Sequence, residues 1–426
     1  MTSPWFGAVA DDITGAVDLA GEMAATGTSV AVVIGVPDAA ATPPPVDAVI
    51  VALKSRTAPA AEAVEESLAA AGWLLDGGAS TLYQKYCSTF DSTDAGNIGP
   101  VADALADLRD GFSVGTPATP AAGRTQYQGT LFVGDRLLSE SSLAHHPLTP
   151  MTDPDLVRVL SRQTPRRVGL VHHAVVRQGT PAISAEIARL HGEGVGHVLV
   201  DAITDDDLDS LAGALDRSSL LAGALDPSSL IGGGAGVASA LARAHATSAR
   251  HTLPDVAPGA RLILSGSGSE RTRAQVAAYP GPVVTVDPLD LDPLDLEERV
   301  RAAMGERPVL VSATASPDEV LRVQGILGAA ASARIIELAL ANLAVTAVDE
   351  WGVTELIIAG GETSGAVVAA LGVGMLHLGE RVAPGVSWAV ATGERDNLAL
   401  LLKSGNFGAD DLFTTAWRAA PRSAAP

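Results

Sequence analysis

Cysteine, aromatic residues and positive charge are all scarce in this sequence. Cys87 is the single cysteine in 426 residues, which excludes an intramolecular disulfide and indicates a reducing compartment. Aromatic residues make up 4%, so aliphatic side chains must fill the cores. Lysine and arginine number 28 against 49 aspartates and glutamates, and the formal net charge of −21 repels nucleic acid phosphates and anionic membranes. We therefore expect neither a nucleic acid partner nor a membrane partner.

Targeting and membrane signals are also missing. Residues 1–5 show no basic region followed by an apolar region, and no uncharged run approaches the length needed to cross a bilayer. We therefore expect a cytoplasmic protein. The Walker A pattern and the G-x-G-x-x-G dinucleotide fingerprint are absent as well, so any phosphate site must be built from other turns.

The composition that remains is typical of an α/β protein. Hydrophobic residues make up 47% and charged residues 18%, and strand-like segments alternate with helix-like segments. The length favours two domains, and residues 251–259, which contain two prolines and no periodicity, mark a boundary between domains of residues 1–250 and 251–426. We predict that each domain is a mainly parallel sheet flanked by helices, with the active site in the interdomain cleft.

In the first half of the chain, polar residues repeatedly follow predicted strands or fill a long connection. In a parallel sheet the carboxyl ends of the strands share one edge, where ligands bind, so these segments should converge. A connection as long as residues 116–134 without secondary structure is usually functional or disordered, and its apolar residues argue for order. The polar segments are Asp11–Asp12, Lys54–Thr57, Lys85–Asn97 and Gly123–Thr125.

Plainer interpretations exist for some of these residues. Lys85–Asn97 could be a solvated loop that ends in a helix N-cap, and Asp12 could be an N-cap alone. The histidine pairs at 145–146 and 172–173 suggest metal binding, but adjacent side chains on an extended strand point to opposite faces. We therefore expect no protein-bound metal site.

In the second half, glycine and hydroxyl residues follow three predicted strands. Glycine lets the backbone approach a phosphate, and the N–H groups at a helix N-terminus point toward an anion. Each turn alone is a weak signal, but three in one domain indicate a site for the phosphates of a nucleotide. The turns are Ser265–Ser269, Gly360–Ala366 and Lys403–Gly408.

Residues 211–220 are almost repeated as residues 221–230. Two copies of a decapeptide are too few for a solenoid. We interpret the repeat as a local duplication within a surface connection, which the weak dependence of closure entropy on loop length permits.

Taken together, these motifs resemble those of the four-carbon acid sugar kinases over essentially the whole chain. They are Ala10–Ala16, Leu53–Thr57, Lys85–Pro100, Gly123–Thr125, His145–Asp153, Leu264–Ser267, Gly360–Ala366 and Lys403–Gly408. At Asp94-Ala95 the sister branch that phosphorylates threonate or erythronate has Leu-Arg, so the resemblance is to the 3-oxo-tetronate 4-kinase branch. It implies an N-terminal domain that binds the acid sugar, a C-terminal domain that binds ATP, and phosphorylation of the C4 hydroxyl.

The resemblance also implies roles for individual residues. The catalytic candidates are Asp12, Asp91 and Lys85, and the choice between the two aspartates as the base is left open. The candidates for binding the sugar acid are Asp11, Lys54, Ser55, Arg56, Ser88, Thr89, Ser92, Asn97, Gly123, Arg124 and Thr125. The candidates for binding ATP are Ser265, Gly266, Ser267, Gly360, Gly361, Glu362, Thr363, Ser364, Lys403 and Gly405, and Mg²⁺ is expected to bind mainly through the ATP phosphates.

Three other functions remain as alternatives. The first is a D-threonate or D-erythronate 4-kinase of the same family. The second is a sugar-acid oxidoreductase, which the missing dinucleotide fingerprint disfavours, and the third is a non-catalytic sugar-acid sensor. Assembly into a homo-oligomer is left open.

Overall fold

The computed structural model describes residues 3–109, 111–145, 149–216, 229–245, 253–393 and 395–421. Within the duplicated segment, residues 217–228 lie outside this part of the chain, as do His146 and the side chain of His145. The chain divides into two units, Met1–His251 and Thr252–Pro426. Both units are α/β with mainly parallel strands, which confirms the predicted fold class.

The first unit contains a parallel sheet of eight strands with helices between them, and a small antiparallel sheet. The strands are β1 Phe6–Ala10, β2 Val30–Ile34, β3 Ala48–Ala52, β4 Thr81–Lys85, β5 Ser113–Thr116, β6 Arg124–Tyr127, β7 Thr130–Val133, β8 Arg136–Leu137, β9 Val168–Val171, β10 His197–Val200 and β11 Leu230–Gly233. The helices are α1 Ile13–Ala24, α2 Ala60–Asp76, α3 Ile98–Asp107, α4 Leu156–Ser161, α5 His173–Val176, α6 Thr180–Gly192, α7 Asp205–Leu215 and α8 Ala235–Ala244, with 3₁₀ turns at Pro120–Ala122, Leu138–Glu140 and Ser142–His145.

The large sheet has the strand order β2-β3-β1-β4-β11-β5-β10-β9, and every neighbouring pair is parallel. Its central strands β1, β3 and β4 are buried along their whole length, as the continuous aliphatic runs of a helix-covered parallel sheet require. Strands β6, β7 and β8 form the separate antiparallel sheet. The segment 116–134 therefore has secondary structure of its own, which the sequence pattern did not predict.

The second unit has seven strands in the order β13-β14-β12-β15-β18-β17-β16, of which the first five run parallel and the last two join antiparallel. A cluster around Trp388 and Trp417 packs against the strands. The strands are β12 Ala260–Ser265, β13 Val283–Thr285, β14 Val309–Ser312, β15 Val353–Ala359, β16 Met375–Ala383, β17 Val386–Thr392 and β18 Leu398–Lys403. The helices are α9 Glu270–Ala278, α10 Pro293–Ala303, α11 Pro317–Leu327, α12 Ala329–Trp351, α13 Gly361–Ala370 and α14 Leu412–Thr415, followed by a 3₁₀ turn at Ala416–Ala419.

Helix α12 is long and apolar enough to cross a bilayer by length and composition, with a mean hydropathy of 1.5 over 18 residues. It packs against α13 and β15 of the second unit, and Leu340, Leu343 and Ala347 on its inner face are buried. A helix that covers a sheet meets the same two criteria as a membrane span, so they alone do not assign α12 to a membrane.

Candidate active site

A cavity lies at the carboxyl ends of β1, β3 and β4. Ala10 pairs with Ala52 on one side and with Lys85 on the other, so the segments that follow these strands meet at one edge. The empty space in this cavity and at its mouth totals about 360 Å³, part of which is open solvent. Seven predicted residues line it: Asp11, Ser55, Arg56, Lys85, Asp91, Ser92 and Asn97. The other seven of the first unit are not among its lining residues: Asp12, Lys54, Ser88, Thr89, Gly123, Arg124 and Thr125.

Arg56 is held between two aspartates. Its Nε and Nη2 donate hydrogen bonds to the carboxylate of Asp11 at 2.9 and 2.8 Å, and its Nη1 lies 2.6 Å from Oδ2 of Asp12. Burial acts to lower the pKa of Arg56, but the two carboxylates outweigh it and hold that pKa well above its ordinary value. Two of the five guanidinium N–H bonds remain for a ligand.

Asp12 is the N-cap residue of α1. Its carboxylate accepts a hydrogen bond from the Gly15 N–H in addition to its ion pair with Arg56. Both contacts fix the direction in which the carboxylate points. The N-cap position considered as an alternative for Asp12 is thus the one that it occupies.

Asp91 lies in a tight turn that follows β4. The Thr89 hydroxyl donates to its Oδ1 at 2.7 Å, and the Phe90 N–H donates to the Cys87 carbonyl at 2.9 Å. Phe90 has φ of 54°, a left-handed conformation that residues other than glycine seldom adopt, and its fully buried ring packs in an apolar cluster. Packing of the ring therefore holds a strained backbone beside a residue that borders the cavity.

Lys85 is 2% exposed and is the last residue of β4. Its Nζ donates to the Tyr86 carbonyl at 2.9 Å, and a Cβ placed on Gly15 would lie 3.2 Å from it. Asp18 follows Gly15 by three residues on α1. Burial raises the pKa of Asp18 to about 6, and the charge of Lys85 opposes the rise. Asp18 is a candidate site residue that the sequence motifs did not include.

The antiparallel sheet carries the fourth predicted polar segment, Gly123–Thr125. Gly123 has φ of 71° and precedes β6, whose first residues are Arg124 and Thr125. Asp201, which follows β10 and is fully buried, accepts hydrogen bonds from the side chain of Gln126 at 3.2 Å and from the N–H groups of Gln128 and Gly129 at 2.8 and 2.9 Å. Asp201 therefore ties the β6–β7 hairpin to the main sheet, and no motif had singled it out.

In the second unit, the three glycine and hydroxyl turns follow adjacent parallel strands. Ser265 of β12 pairs with Ala359 of β15, and Ala359 pairs with Lys403 of β18. The Gly266 N–H donates to the Ala359 carbonyl at 3.0 Å, and the Gly360 N–H donates to the Lys403 carbonyl at 2.9 Å. The structure thus brings the three predicted turns together at one edge of the sheet.

The backbone at these turns is closely packed. Gly360 has φ of 124°, and a Cβ there would lie 3.0 Å from Thr363 Oγ1 and 3.3 Å from the Ser267 nitrogen. Gly361, Glu362 and Thr363 form the first turn of α13, where N–H groups lack partners within the helix. These features fit an anion that approaches main-chain N–H groups directly.

Lys403 is fully buried and contacts its own loop. Its Nζ donates to Thr272 Oγ1 at 2.9 Å and to the Gly405 carbonyl at 3.1 Å, and that carbonyl also accepts from the Ser269 hydroxyl at 2.6 Å. Burial, with the nearby charge of Arg271, lowers the pKa of Lys403 to about 7. Ser269 and Thr272 therefore shape this site, although only the first lay in a predicted turn.

Within the described parts of the chain, no group of three or more His, Cys, Asp or Glu side chains is placed to hold a metal ion. The acidic residues that cluster at the cavity are engaged with Arg56 or with hydroxyl and thiol groups.

Two family models match the two halves of the chain. A sugar-binding N-terminal domain model matches residues 6–241, and a nucleotide-binding C-terminal domain model matches residues 262–413. A protein of Burkholderia multivorans named 3-oxo-tetronate kinase is 46% identical over 98% of this chain and 97% of its own length. This chain belongs to the four-carbon acid sugar kinase family. Within this kinase family, a Cupriavidus necator protein with the same name is 45% identical over 97% of both chains.

Solved structures give the same family relationship. A crystal structure from Salmonella typhimurium LT2 superposes on this acid sugar kinase with a TM-score of 0.84 at 38% identity, covering 97% of this chain and 98% of the other. A Haemophilus influenzae structure gives 0.75 at 39% identity, covering 97% and 99%. The family resemblance drawn from the motifs is therefore confirmed.

Proposed function

We propose that this protein is an ATP-dependent kinase that transfers the γ-phosphoryl group of ATP to the C4 hydroxyl of a 3-oxo-tetronate, forming the 4-phosphate. The observation that carries the proposal is full-length similarity, at 40–46% identity, to proteins named 3-oxo-tetronate kinase. Two structural features support it: a polar cavity in the sugar-binding unit and a glycine-rich cradle in the nucleotide-binding unit.

The acid sugar is anionic, so local cations must offset a net charge of −21. Lys85 borders the cavity and is buried, and an ammonium there attracts a carboxylate or a transferring phosphoryl group strongly. The remaining N–H bonds of Arg56 are a second source of hydrogen-bond donors. Arg124 and Lys54 remain candidates for binding the carboxylate of the sugar acid.

We assign the role of base to Asp91 rather than Asp12. Asp91 lines the cavity, whereas the carboxylate of Asp12 caps α1 and pairs with Arg56. In phosphoryl transfer such a carboxylate mainly orients the attacking hydroxyl and takes its proton, while positioning and charge neutralisation supply most of the rate.

The triphosphate of ATP would lie against the turns at 265–267, 360–364 and 403–405. This placement depends on glycine at positions 266 and 405. An added Cβ would collide with the side chain of Thr363 at position 266 and with that of Ser267 at position 405. Mg²⁺, held by phosphate oxygens and water, would neutralise charge on the phosphates. We also propose a cytoplasmic location, which keeps Cys87 reduced.

A coupled assay for ADP with a panel of four-carbon acids tests the proposal. We expect turnover with a 3-oxo-tetronate and far lower kcat/KM with D-threonate and D-erythronate, and phosphorus NMR should place the phosphate on C4. The opposite preference would move the protein to the sister branch. ADP formation with none of these acids would overturn the kinase assignment.

Two variants test the division of roles. Asp91→Asn and Arg124→Ala should each lower kcat/KM for the sugar acid by about two orders of magnitude or more, with ATP affinity nearly unchanged. Collapse of ATP affinity in either variant would show that the roles of the two units are reversed.

A further inference from the structure

The side-chain amide of Asn97 is held at the wall of the first-unit cavity. Asn97 is 7% exposed and precedes α3. Its Nδ2 donates to the carbonyl oxygens of Ser55 at 2.6 Å and Ala58 at 2.8 Å, with a longer contact of 3.4 Å to that of Arg56. The amide thus anchors the turn that follows β3.

These contacts settle which end of the amide faces the turn. Rotating the amide by 180° would place Oδ1 against carbonyl oxygens, and an acceptor cannot bond to an acceptor. The NH₂ group must therefore face the turn, and Oδ1 must point away from it.

Oδ1 of Asn97 is buried and has no hydrogen-bond partner within the described residues. A buried acceptor without a partner is costly and is rarely left so in a folded protein. Asn97 also lines the cavity that Lys85 and Asp91 border. The missing donor is therefore expected from a molecule that occupies this cavity.

The chemistry of the substrate limits which group can be the donor, and this step rests on the proposed function. In a 3-oxo-tetronate the ionised carboxylate and the 3-oxo group can only accept hydrogen bonds. The C4 hydroxyl is the nucleophile and donates to Asp91 in the assignment above. The C2 hydroxyl is the one donor that remains.

We propose that Oδ1 of Asn97 accepts a hydrogen bond from the C2 hydroxyl of the acid sugar and selects acids that carry this group. The Nζ of Lys85 donates one hydrogen bond to the Tyr86 carbonyl. Its other N–H groups supply donors for the carboxylate or the 3-oxo group of the substrate. The cavity then offers an acceptor where the substrate has a donor and a donor where it has acceptors. A site built to pair a hydroxyl rejects analogues that lack it, because its own polar group is left unsatisfied.

A double-mutant cycle between protein and substrate tests this pairing. The substrates are a 3-oxo-tetronate and its 2-deoxy analogue, 4-hydroxy-3-oxobutanoate, and the protein variant is Asn97→Ser. Serine keeps a residue suited to a helix N-cap and shortens the side chain, so folding is retained, which its melting temperature checks. Ser67→Ala is the matched control, because Ser67 lines the same cavity from α2 and is 1% exposed.

In the wild type and in Ser67→Ala, removal of the C2 hydroxyl should lower kcat/KM by about 100-fold. In Asn97→Ser the same removal should cost less than about threefold, because the shorter serine side chain places no acceptor at the position of Oδ1. An equal loss in all three proteins, or no loss in the wild type, would overturn the inference and leave the kinase assignment intact. Absence of turnover with the parent 3-oxo-tetronate in the wild type would overturn both.

Discussion

The thiol of Cys87 donates a hydrogen bond to Oδ2 of Asp91, with the sulfur 3.0 Å from the oxygen. Since Thr89 donates to Oδ1, each oxygen of the candidate base has a donor from the same turn. Burial, with the charge of Asp91, raises the pKa of Cys87 to about 12. The single cysteine of the chain is thus held as a neutral donor that fixes Asp91.

We expect Cys87 to react very slowly with thiol reagents in the native protein. With a pKa of about 12 rather than about 9, the thiolate fraction at pH 8 falls by about three orders of magnitude, and the thiolate is the reactive form. The measurement compares the rate of alkylation by iodoacetamide at pH 8 in the native protein with the rate in the guanidinium-unfolded protein. Comparable rates in the two states would contradict the hydrogen bond from Cys87 to Asp91.

Asp18 should make the fold less stable as the pH rises. Its folded-state pKa of about 6 lies above the unfolded value of 3.8, so its contribution is fully present below pH 3.8 and is lost as the pH rises through about 6. Asp18→Asn should therefore be more stable than the wild type at pH 8, by about 1 kcal/mol after allowance for partial solvent screening, or about 2–4 °C in Tm.

Thermal melts of both proteins between pH 4.5 and pH 8 measure this effect. The advantage of Asp18→Asn should shrink toward pH 4.5, where the wild-type carboxyl is protonated. Asp135→Asn, which removes an exposed carboxylate between β7 and β8, should show no comparable pH dependence. A constant difference across the range would count against a raised pKa.

The convergence of distant motifs could be predicted because it depends on topology alone. Once β1, β3 and β4 are parallel neighbours, Asp11, Ser55 and Lys85 must share an edge, and the same holds for the three turns after β12, β15 and β18. Alternating strand and helix patterns carry this information locally.

Contacts between residues distant in sequence could not be predicted in this way. Asp18 has a perturbed pKa only because tertiary packing buries it near Lys85 and Arg124. Asp201 looks like any residue after a strand, and its role appears only with the hairpin that it anchors. The burial of Lys403 against Thr272 likewise depends on α9 lying beside β18.

ATP binding should take up a proton through Lys403. With a pKa of about 7, this amine is mostly neutral at pH 8, and a triphosphate bound nearby favours its charged form. We expect uptake of up to about one proton per ATP near pH 8, falling toward pH 6, where the amine is already charged. Calorimetric titrations of ATP in buffers of different ionisation enthalpy measure the number of protons taken up. If Lys403→Met takes up as many protons as the wild type, the proton binds to another group.

Substitution of Gly360 should damage the nucleotide site more than the rest of the fold. At φ of 124° an alanine is strained, and its Cβ would crowd Thr363 and the Ser267 nitrogen, so Gly360→Ala should cost about 1–3 kcal/mol. ATP affinity should fall at least tenfold, because the N-terminus of α13 must shift.

Gly325→Ala is the control. A Cβ at this position of helix α11 meets nothing within 4 Å, so the substitution should raise Tm slightly and leave ATP affinity unchanged. Unaltered ATP binding by a folded Gly360→Ala protein would remove this turn from the nucleotide site.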